Sequence, residues 1–309
     1  MIDDFNSLYW TDGYKLGHKD MLAPGTSRLY RTKIPRKLKC IFGYDEATPR
    51  TLIYSDYAQL ELRTICAILN VSVMAQMFRD GVDLHSYVAS VLFGEDVTKE
   101  QRQVTKTYNF NLLYGGSVDM VISILMTYGL WVEPVVANKH KAKWLNLFKE
   151  INKWQQECIA KWRKGKLNST PLGRSYKSRL MTDFMNIQNQ GAGADVTKLA
   201  LYYFSPWLAE YNKTVPDEDK VLLCNVIHDS FILDSPDKPE VYEPVAKKLA
   251  ECMQESWFEM SKLFKITDLP MPVDVKVGKN WGDIEADVNL AHTFKLEPYA
   301  MLEKVNAKV

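Results

Sequence analysis

Two aspartates, each inside a short apolar and β-prone segment, are the residues of this chain best suited to chemistry. Asp56 lies in residues 53–63, IYSDYAQLELR, and Asp229 lies 173 residues later in residues 225–233, NVIHDSFIL. Two such strands placed side by side would bring the two carboxylates together. Sites that transfer phosphoryl groups with two metal ions need carboxylates that hold two hard cations about 3.5–4 Å apart. The two segments therefore predict a metal-dependent phosphoryl-transfer site.

A four-residue repeat between the two aspartates adds groups that suit a nucleotide. Arg102, Lys106, Phe110 and Tyr114 recur within residues 101–115. On a helix, steps of four residues drift by only about 40° each, so the four side chains share one broad face. Two like charges at this spacing repel each other, which favours a shared anion. An aromatic stripe is also typical of a helix core, so that alternative stays open for the two rings.

Composition limits the class of protein. The chain has 309 residues, 46% of them hydrophobic, and five scattered cysteines without a CxxC pair, which suits reduced thiols in a cytoplasm. It contains no apolar run of about 18 residues, so no membrane span is expected. Net charge is only +1, but residues 139–166 carry nine Lys/Arg and two Glu. Such a local positive field is typical of phosphate binding, and a solvated basic helix is the alternative.

The segments around Asp56, residues 101–115 and Asp229 resemble motifs A, B and C of the family A (bacterial polymerase I-like) DNA polymerases, in the same order. Further stretches that resemble this family are residues 83–85, 170–174, 186–195 and 275–281. The resemblance covers roughly residues 34–285. It implies a DNA polymerase that adds deoxynucleotides to a primer on a template by two-metal nucleotidyl transfer, with two Mg²⁺ ions as cofactors.

The resemblance also implies an α+β fold, with a palm of antiparallel sheet and helices and a helical fingers subdomain. The expected divisions are residues 34–83 and 166–285 for the palm, 84–165 for the fingers and 286–309 for a C-terminal tail. In this family the thumb and the exonuclease precede motif A, and only 55 residues precede Asp56 here. We therefore expect both to be missing, and we expect a second subunit that carries them.

Family membership would assign roles to individual side chains. Asp56, Asp229 and the backbone carbonyl of Tyr57 would hold metal, and Lys106 would donate a proton to pyrophosphate. The incoming deoxynucleoside triphosphate would contact Gln59, Glu61, His85, Arg102, Lys106, Phe110 and Tyr114. Glu61 would be the steric gate that excludes a ribose 2′-hydroxyl. Primer–template DNA would contact Arg63, Arg174, Asn186, Gln190 and His228.

Two positions depart from the family pattern. Ser230 follows Asp229 where the family usually has Glu, and the resulting His-Asp-Ser sequence is more like the phage-type single-subunit RNA polymerases. Asn111 replaces a usual Gly. The alternatives are therefore an RNA polymerase-like enzyme or a non-catalytic DNA-binding remnant. Glu61 favours DNA synthesis, and the retained charged residues favour an active enzyme.

Periodicity and turn signals predict the elements that position these residues. Strands are expected at 50–57, 221–227, 231–234 and 271–277, and helices at 60–69, 84–93, 99–114, 118–128, 141–164, 195–211 and 241–264. Residues 1–33 do not resemble polymerase. Residues 11–26 are instead similar to the N-terminal stretch of nicotinamide phosphoribosyltransferases, and we interpret residues 1–33 as a joined leader without that activity.

Overall fold

A computed structural model describes residue 39 and residues 49–127 and 129–307. The predicted leader, residues 1–33, lies outside this part, so its resemblance to a phosphoribosyltransferase stays a prediction. The predicted α+β class is confirmed. No helix in the described ranges combines the length and apolar character of a membrane span.

Most of the chain between and after the long strands of the sheet is helical, with one short hairpin. Helices α1 to α7 are Leu60–Leu69, Ser72–Arg79, Leu84–Phe93, Lys99–Leu113, Val118–Thr127, Pro134–Leu147 and Lys149–Arg163. A small hairpin, β2 (Asn168–Ser169) and β3 (Ser175–Tyr176), precedes the long helix α8, Met181–Tyr211. Helices α9 to α11 are Pro239–Ser261, Trp281–Glu285 and Leu302–Asn306.

A five-stranded antiparallel sheet carries both aspartate segments. Its strands are β1 (Arg50–Tyr57), β4 (Leu222–Ile227), β5 (Ser230–Pro236), β6 (Val273–Gly278) and β7 (Leu290–Leu296). The order across the sheet is β4-β5-β1-β6-β7, and every neighbouring pair is antiparallel. The strand with the first aspartate is therefore central, and the hairpin with the second aspartate pairs directly with it.

Alternation along β1 divides its side chains between a packed core and the opposite face of the sheet. Ile53, Ser55 and Tyr57 are buried, and the Tyr57 hydroxyl bonds the Met253 carbonyl and the Ser256 hydroxyl of α9, each at 2.9 Å. Because strand side chains alternate with a period of two, Asp56 points to the face opposite α9. The core on one side of the sheet thus fixes which side can carry chemistry.

Helix α8 crosses close to α1 through a glycine. A Cβ added at Gly193 would lie 3.4 Å from a methyl carbon of Leu60. This close approach holds the segment after Asp56 against the segment that begins with Asn186. The two groups of predicted site residues on α1 and α8 therefore belong to one packed unit.

Three predicted elements are wrong in extent. The helix predicted at 141–164 is two helices, because the backbone of Phe148 leaves helical geometry (φ −113°, ψ 65°) and its ring packs edge-on against Trp144. The helix predicted from residue 195 begins at Met181, since its packing outweighs the low helix propensity of its glycines. The strand predicted at 271–277 as the last one spans Val273–Gly278 and is followed by another strand, β7, and by helix α11.

Besides the pairing of β7 with β6, one buried amide joins the segment after residue 286 to the core. Gln254 of α9 is fully buried, and its Nε2 donates to the carbonyls of Met271 and Glu297 at 2.8 and 2.6 Å. Its Oε1 accepts the backbone N–H of Met301 at 2.7 Å. One side chain therefore satisfies three backbone groups from two segments.

Replacing this amide should destabilise the protein strongly. Gln254→Leu keeps the approximate volume but leaves two carbonyls and one N–H buried without partners, which should cost about 3–5 kcal/mol of unfolding free energy. Urea denaturation followed by circular dichroism measures it. The control is Gln76→Leu, on an exposed helix face, which should stay within about 0.5 kcal/mol of wild type. Equal effects of the two substitutions would contradict the assignment.

Candidate active site

The two aspartates lie at one end of the sheet, Asp56 on β1 and Asp229 next to the neighbouring strand β5. Asp56 of β1 pairs in register with Ser230 of β5, and Asp229 occupies the turn immediately before Ser230. The Tyr54 hydroxyl donates to one carboxylate oxygen of Asp56 at 3.3 Å. The other oxygen is buried and has no hydrogen-bond partner. The structure thus brings the two predicted metal carboxylates together and leaves an acceptor atom unused.

The electrostatics of this pair favour a bound cation. Burial, and then the charge of Asp229, raise the pKa of Asp56 to about 7. Burial also raises the pKa of Asp229, although the adjacent charge of His228 acts in the opposite direction. Two repelling carboxylates with little water around them gain most from a shared cation.

The donor set fits a hard divalent metal. Magnesium takes oxygen ligands and usually keeps water and substrate phosphates in its shell, so two carboxylates suffice as side-chain ligands. Within residues 49–127 and 129–307, no group of three or more His, Cys, Asp and Glu side chains could hold a metal ion. The free oxygen of Asp56 is the observation that supports a cation between these carboxylates.

Backbone strain surrounds the two aspartates. Gln59, predicted near the triphosphate, has φ 57°, and its side-chain carbonyl oxygen is buried without a partner. His228, predicted to place the primer end, is exposed in the turn and also has φ 57°. Positive φ is costly for residues with a side chain and is concentrated at functional sites. The side chain of Tyr57 is buried and bonded to α9, so it cannot serve as a metal ligand.

Glu61 is held in place by a hydrogen-bonded clasp. Its Oε1 accepts from the Tyr114 hydroxyl at the end of α4 and from Gln190 Nε2 of α8 at 3.0 Å. Asn189 Nδ2 donates to the Tyr114 hydroxyl at 2.9 Å. Burial raises the pKa of Glu61, and the nearby charge of Asp229 raises it further. The predicted gate residue is therefore fixed beside the carboxylate pair.

The predicted triphosphate residues of α3 and α4 also come together. Arg102 and Lys106 are exposed on α4, and their charges, with that of Asp83, reach His85. Burial is the largest cause that lowers the pKa of His85 to about 4, so the imidazole is neutral at pH 7. His85 is thus available as a neutral hydrogen-bond donor rather than as a cation.

A buried network fixes which nitrogen of His85 can donate. The indole N–H of Trp144 donates to Asn109 Oδ1 at 2.7 Å, so the amide nitrogen of Asn109 faces His85 Nδ1 at 2.8 Å. His85 Nδ1 then accepts, and the ring proton lies on Nε2. The half-buried ring of Phe110 lies 5.9 Å from the imidazole, centroid to centroid. The nucleotide face predicted for α4 is therefore continuous with His85.

A concave groove of about 350 Å³ collects three predicted DNA contacts. Its lining includes Arg174, Tyr176, Asn186 and Gln190. Arg174 donates to the Tyr176 hydroxyl at 3.1 Å and also pairs with the buried Asp195. The side-chain carbonyl of Asn186 is buried without a partner. Arg174 therefore enters the groove with part of its guanidinium already engaged.

Arg63 is the predicted site residue that the structure does not bring to the cleft. Its side chain is buried, donates to the carbonyls of Ala58 and Pro270, and stacks 4.2 Å over the ring of Phe78. The prediction of Arg63 as a DNA contact is corrected to a structural role. The position of Arg63 in the sequence, one helical turn after Gln59, gave no indication that Phe78 covers it.

Two acidic residues near the site were not singled out as site residues in the sequence. Asp83 caps α3 and binds Arg102, and Asp274 of β6 pairs in register with Asp56. Asp274 also forms an ion pair of 3.3 Å with Lys295 of β7. The role of Asp83 as a helix cap could have been recognised in the sequence, because it stands three residues before Ser86 in an N-cap pattern. Asp274 follows only from strand pairing.

Removing the buried charge of Asp56 should stabilise the metal-free protein. The pKa of Asp56 is raised from 3.8 to about 7, so its ionisation destabilises the fold progressively as pH rises through that range. Asp56→Asn should therefore gain about 1–3 kcal/mol of unfolding free energy at pH 8 and much less at pH 4.5.

Urea unfolding at the two pH values, with a chelator present, tests this expectation. Asp96→Asn, at an exposed loop position, is the matched control and should change little at either pH. Loss of stability in Asp56→Asn at pH 8 would contradict the account of the buried pair.

Comparisons with known proteins match most of this chain. The model of the family described as DNA polymerase family A matches residues 27–283. This match begins inside the stretch predicted as a leader and ends before β7. It covers the sheet from β1 to β6 and every predicted site residue.

Individual relatives are longer than this chain. DNA polymerase I of Aquifex aeolicus is 29% identical over 254 residues, which are 80% of this chain and 42% of that protein. The DNA polymerase of Bacillus phage SP01 is 29% identical over 263 residues, which are 80% of this chain and 28% of that protein. The chain thus spans less than half the length of these relatives.

A solved structure shares the fold. The POL domain of Pol1 from M. smegmatis, in complex with DNA primer-template and dNTP, superposes with a TM-score of 0.67 at 21% identity. The overlap covers 82% of this chain and 44% of that one. The likeness concerns the fold alone; the family match, which covers residues 27–283, shows that the chain belongs to DNA polymerase family A.

Proposed function

We propose that this chain carries the catalytic centre of a template-directed DNA polymerase that adds deoxynucleotides to a primer 3′ end. The observation that carries the proposal is the pair of half-buried carboxylates, Asp56 on β1 and Asp229 in the turn before the adjacent strand β5. The Arg102–Lys106 face on one helix and the clasped Glu61 accompany this pair. An anionic nucleotide and two divalent cations would complement these charges.

Asp56, Asp229 and the carbonyl of Tyr57 would hold Mg²⁺. When bound, the cations lower the pKa of the primer hydroxyl and neutralise charge that develops on phosphate. The 3′ hydroxyl of the primer would lose its proton to water, its oxygen would form a bond to the α-phosphorus as the bond from that phosphorus to the bridging oxygen breaks, and pyrophosphate would leave. His228, exposed beside Asp229, would orient the primer end.

The side chains of α3 and α4 would bind the triphosphate. Arg102 and Lys106 supply positive charge, and His85 supplies a neutral N–H from Nε2. Lys106 is the proposed proton donor to pyrophosphate, since an ammonium group can both pair with the leaving oxygen and protonate it. Phe110 would pack against the sugar and base, and Gln59 would offer its amide near the phosphates.

Glu61 is the proposed selector of deoxyribose. Its carboxylate cannot easily move away, because Tyr114 and Gln190 both hold it. A ribose 2′-hydroxyl that approached this position would meet an immobile side chain. The clasp therefore favours DNA synthesis over the RNA synthesis that Ser230 alone would suggest.

Duplex DNA would enter the groove lined by Arg174, Asn186 and Gln190. Contacts to acceptors that all base pairs share in the minor groove sense pair geometry rather than sequence. The basic residues 139–166 would add phosphate contacts that weaken as salt increases. A second subunit with thumb and exonuclease remains a prediction from the sequence.

Asp229→Asn should abolish most primer extension. Loss of one of two metal carboxylates removes several kcal/mol of transition-state stabilisation, so the rate should fall by about a hundredfold or more. Extension of a labelled primer at saturating Mg²⁺ measures the loss, with Asp96→Asn as the control. Near-normal extension by Asp229→Asn would remove this residue from the metal site.

Shortening Glu61 should admit ribonucleotides. Glu61→Ala opens the space beside the sugar, and the ratio of kcat/KM for ribonucleotides to that for deoxynucleotides should rise by about tenfold or more. Glu61→Gln is the matched control, because it keeps the volume of the side chain and should leave the ratio near that of wild type. Equal ratios in all three proteins would place the gate elsewhere.

A further inference from the structure

Arg102, the arginine that the triphosphate would need, is already paired with an acidic residue, Asp83. Arg102 Nε donates to Asp83 Oδ2 at 2.8 Å, and its terminal nitrogen donates to Asp83 Oδ1 at 3.1 Å. This is a two-point contact, the strongest geometry for such a pair. Both groups keep access to solvent, since the Arg102 side chain is 45% exposed and that of Asp83 is 33% exposed. A soluble anion can therefore reach the arginine and compete for it.

Asp83 itself is fixed by its place in the fold. Its carboxylate accepts the backbone N–H of Ser86 at 2.9 Å and the Ser86 hydroxyl at 2.6 Å, as the N-cap of α3. Burial alone would raise the pKa of Asp83, but the hydrogen bonds from Arg102 and Ser86 outweigh it and lower the pKa to about 2. The carboxylate is thus a permanent anion in a fixed position. Arg102 extends from the first turn of α4, which a capping box at Thr98 and Gln101 holds in place.

A simple surface ion pair is the competing interpretation. Most exposed pairs contribute little to stability and have no further role. Three features distinguish this one: it is bidentate, it shares its surroundings with His85 and Lys106, and its acid repels any phosphate that approaches those groups. Another exposed pair, Arg79–Asp268 at 2.9 Å, consists of residues outside the proposed site and offers a direct comparison.

We propose that Asp83 is an anionic placeholder that holds Arg102 until a nucleoside triphosphate displaces it, and so sets the affinity of the site for triphosphates. The proposal rests on the proposed function, because it concerns the same nucleotide face. A triphosphate must compete with a carboxylate that is already bound and must enter against its charge. Both effects weaken triphosphate binding. A nucleotide that binds too weakly to displace Asp83 leaves Arg102 paired with Asp83.

The test uses Asp83→Asn in the full chain. An Asn side chain still caps α3 well, since its carbonyl oxygen accepts the Ser86 N–H, but it no longer holds Arg102 as an anion. Binding of the complementary deoxynucleoside triphosphate to a complex with dideoxy-terminated primer–template is measured by fluorescence, so no turnover is required. Inorganic tripolyphosphate with the free protein is the second probe. We expect the Kd for both probes to fall by about fivefold.

Two further variants separate a specific effect from a general one. In the background of Arg102→Gln, the substitution Asp83→Asn should lose most of its effect on Kd, because the arginine that it releases is absent. Asp268→Asn, which breaks the comparison pair, should leave both Kd values within about twofold of wild type. Circular dichroism and urea unfolding confirm that each variant is folded.

The outcomes are separable from those for the proposed function. Unchanged or weaker binding by Asp83→Asn would overturn the placeholder. The proposed function would still stand if the wild-type chain extends a primer. Tighter binding of both probes with no extension by wild type would support the placeholder and remove the proposed function. A wild-type chain that binds neither probe would overturn the placeholder.

Discussion

Repulsion between two half-buried carboxylates is the constraint on which the rest of this molecule depends. Asp56 lies on β1 and Asp229 in the turn before the adjacent strand β5, and burial and the charge of Asp229 raise the pKa of Asp56 to about 7. A protein keeps such a pair only if a bound cation or a proton compensates for it. The unused oxygen of Asp56 is the atom to which the proposed cation would bind. The architecture therefore has to supply rigidity, so that the two groups cannot simply move apart.

That rigidity comes from the sheet and from the helix beneath it. The strand that carries Asp56 is central, has a neighbour on each side and is anchored by Tyr57 to α9. The C-terminal segment extends the same sheet beyond the region that matches the family, because β7 pairs with β6. Lys295 of β7 pairs with Asp274, the neighbour of Asp56 across the strands. The added strand thus balances a third acidic charge close to the other two.

Contacts between separate elements also fix the residues on the proposed nucleotide side of the site. Glu61, Tyr114 and Gln190 come from three separate helices and meet in one clasp. Arg102 and Asn109 of α4 are joined to α3 through Asp83 and His85 respectively. The palm-like sheet and the helices that follow it therefore meet in hydrogen bonds at the site as well as in apolar packing. Movement of α4 relative to α1 would have to break the clasp first.

Sequence patterns predicted the strands around both aspartates and the helix that carries Arg102, because period-two and four-residue repeats report directly on local structure. They did not place Phe148 as a helix break, since the break depends on packing against Trp144. They did not reveal that Arg63 is buried or that Asp83 holds Arg102. Both facts depend on which residues become neighbours after folding. Asp274 could be found only from strand register, and β7 lay in a tail with no family pattern to follow.

The number of bound cations tests the central claim most directly. Mn²⁺ can replace Mg²⁺ at oxygen sites and is counted by electron paramagnetic resonance. The chain would be mixed with dideoxy-terminated primer–template and the complementary deoxynucleoside triphosphate, and protein-dependent Mn²⁺ would be counted for wild type, Asp56→Asn and Asp229→Asn. The account predicts two ions in wild type and fewer in each variant. The same number of ions in all three proteins would contradict it.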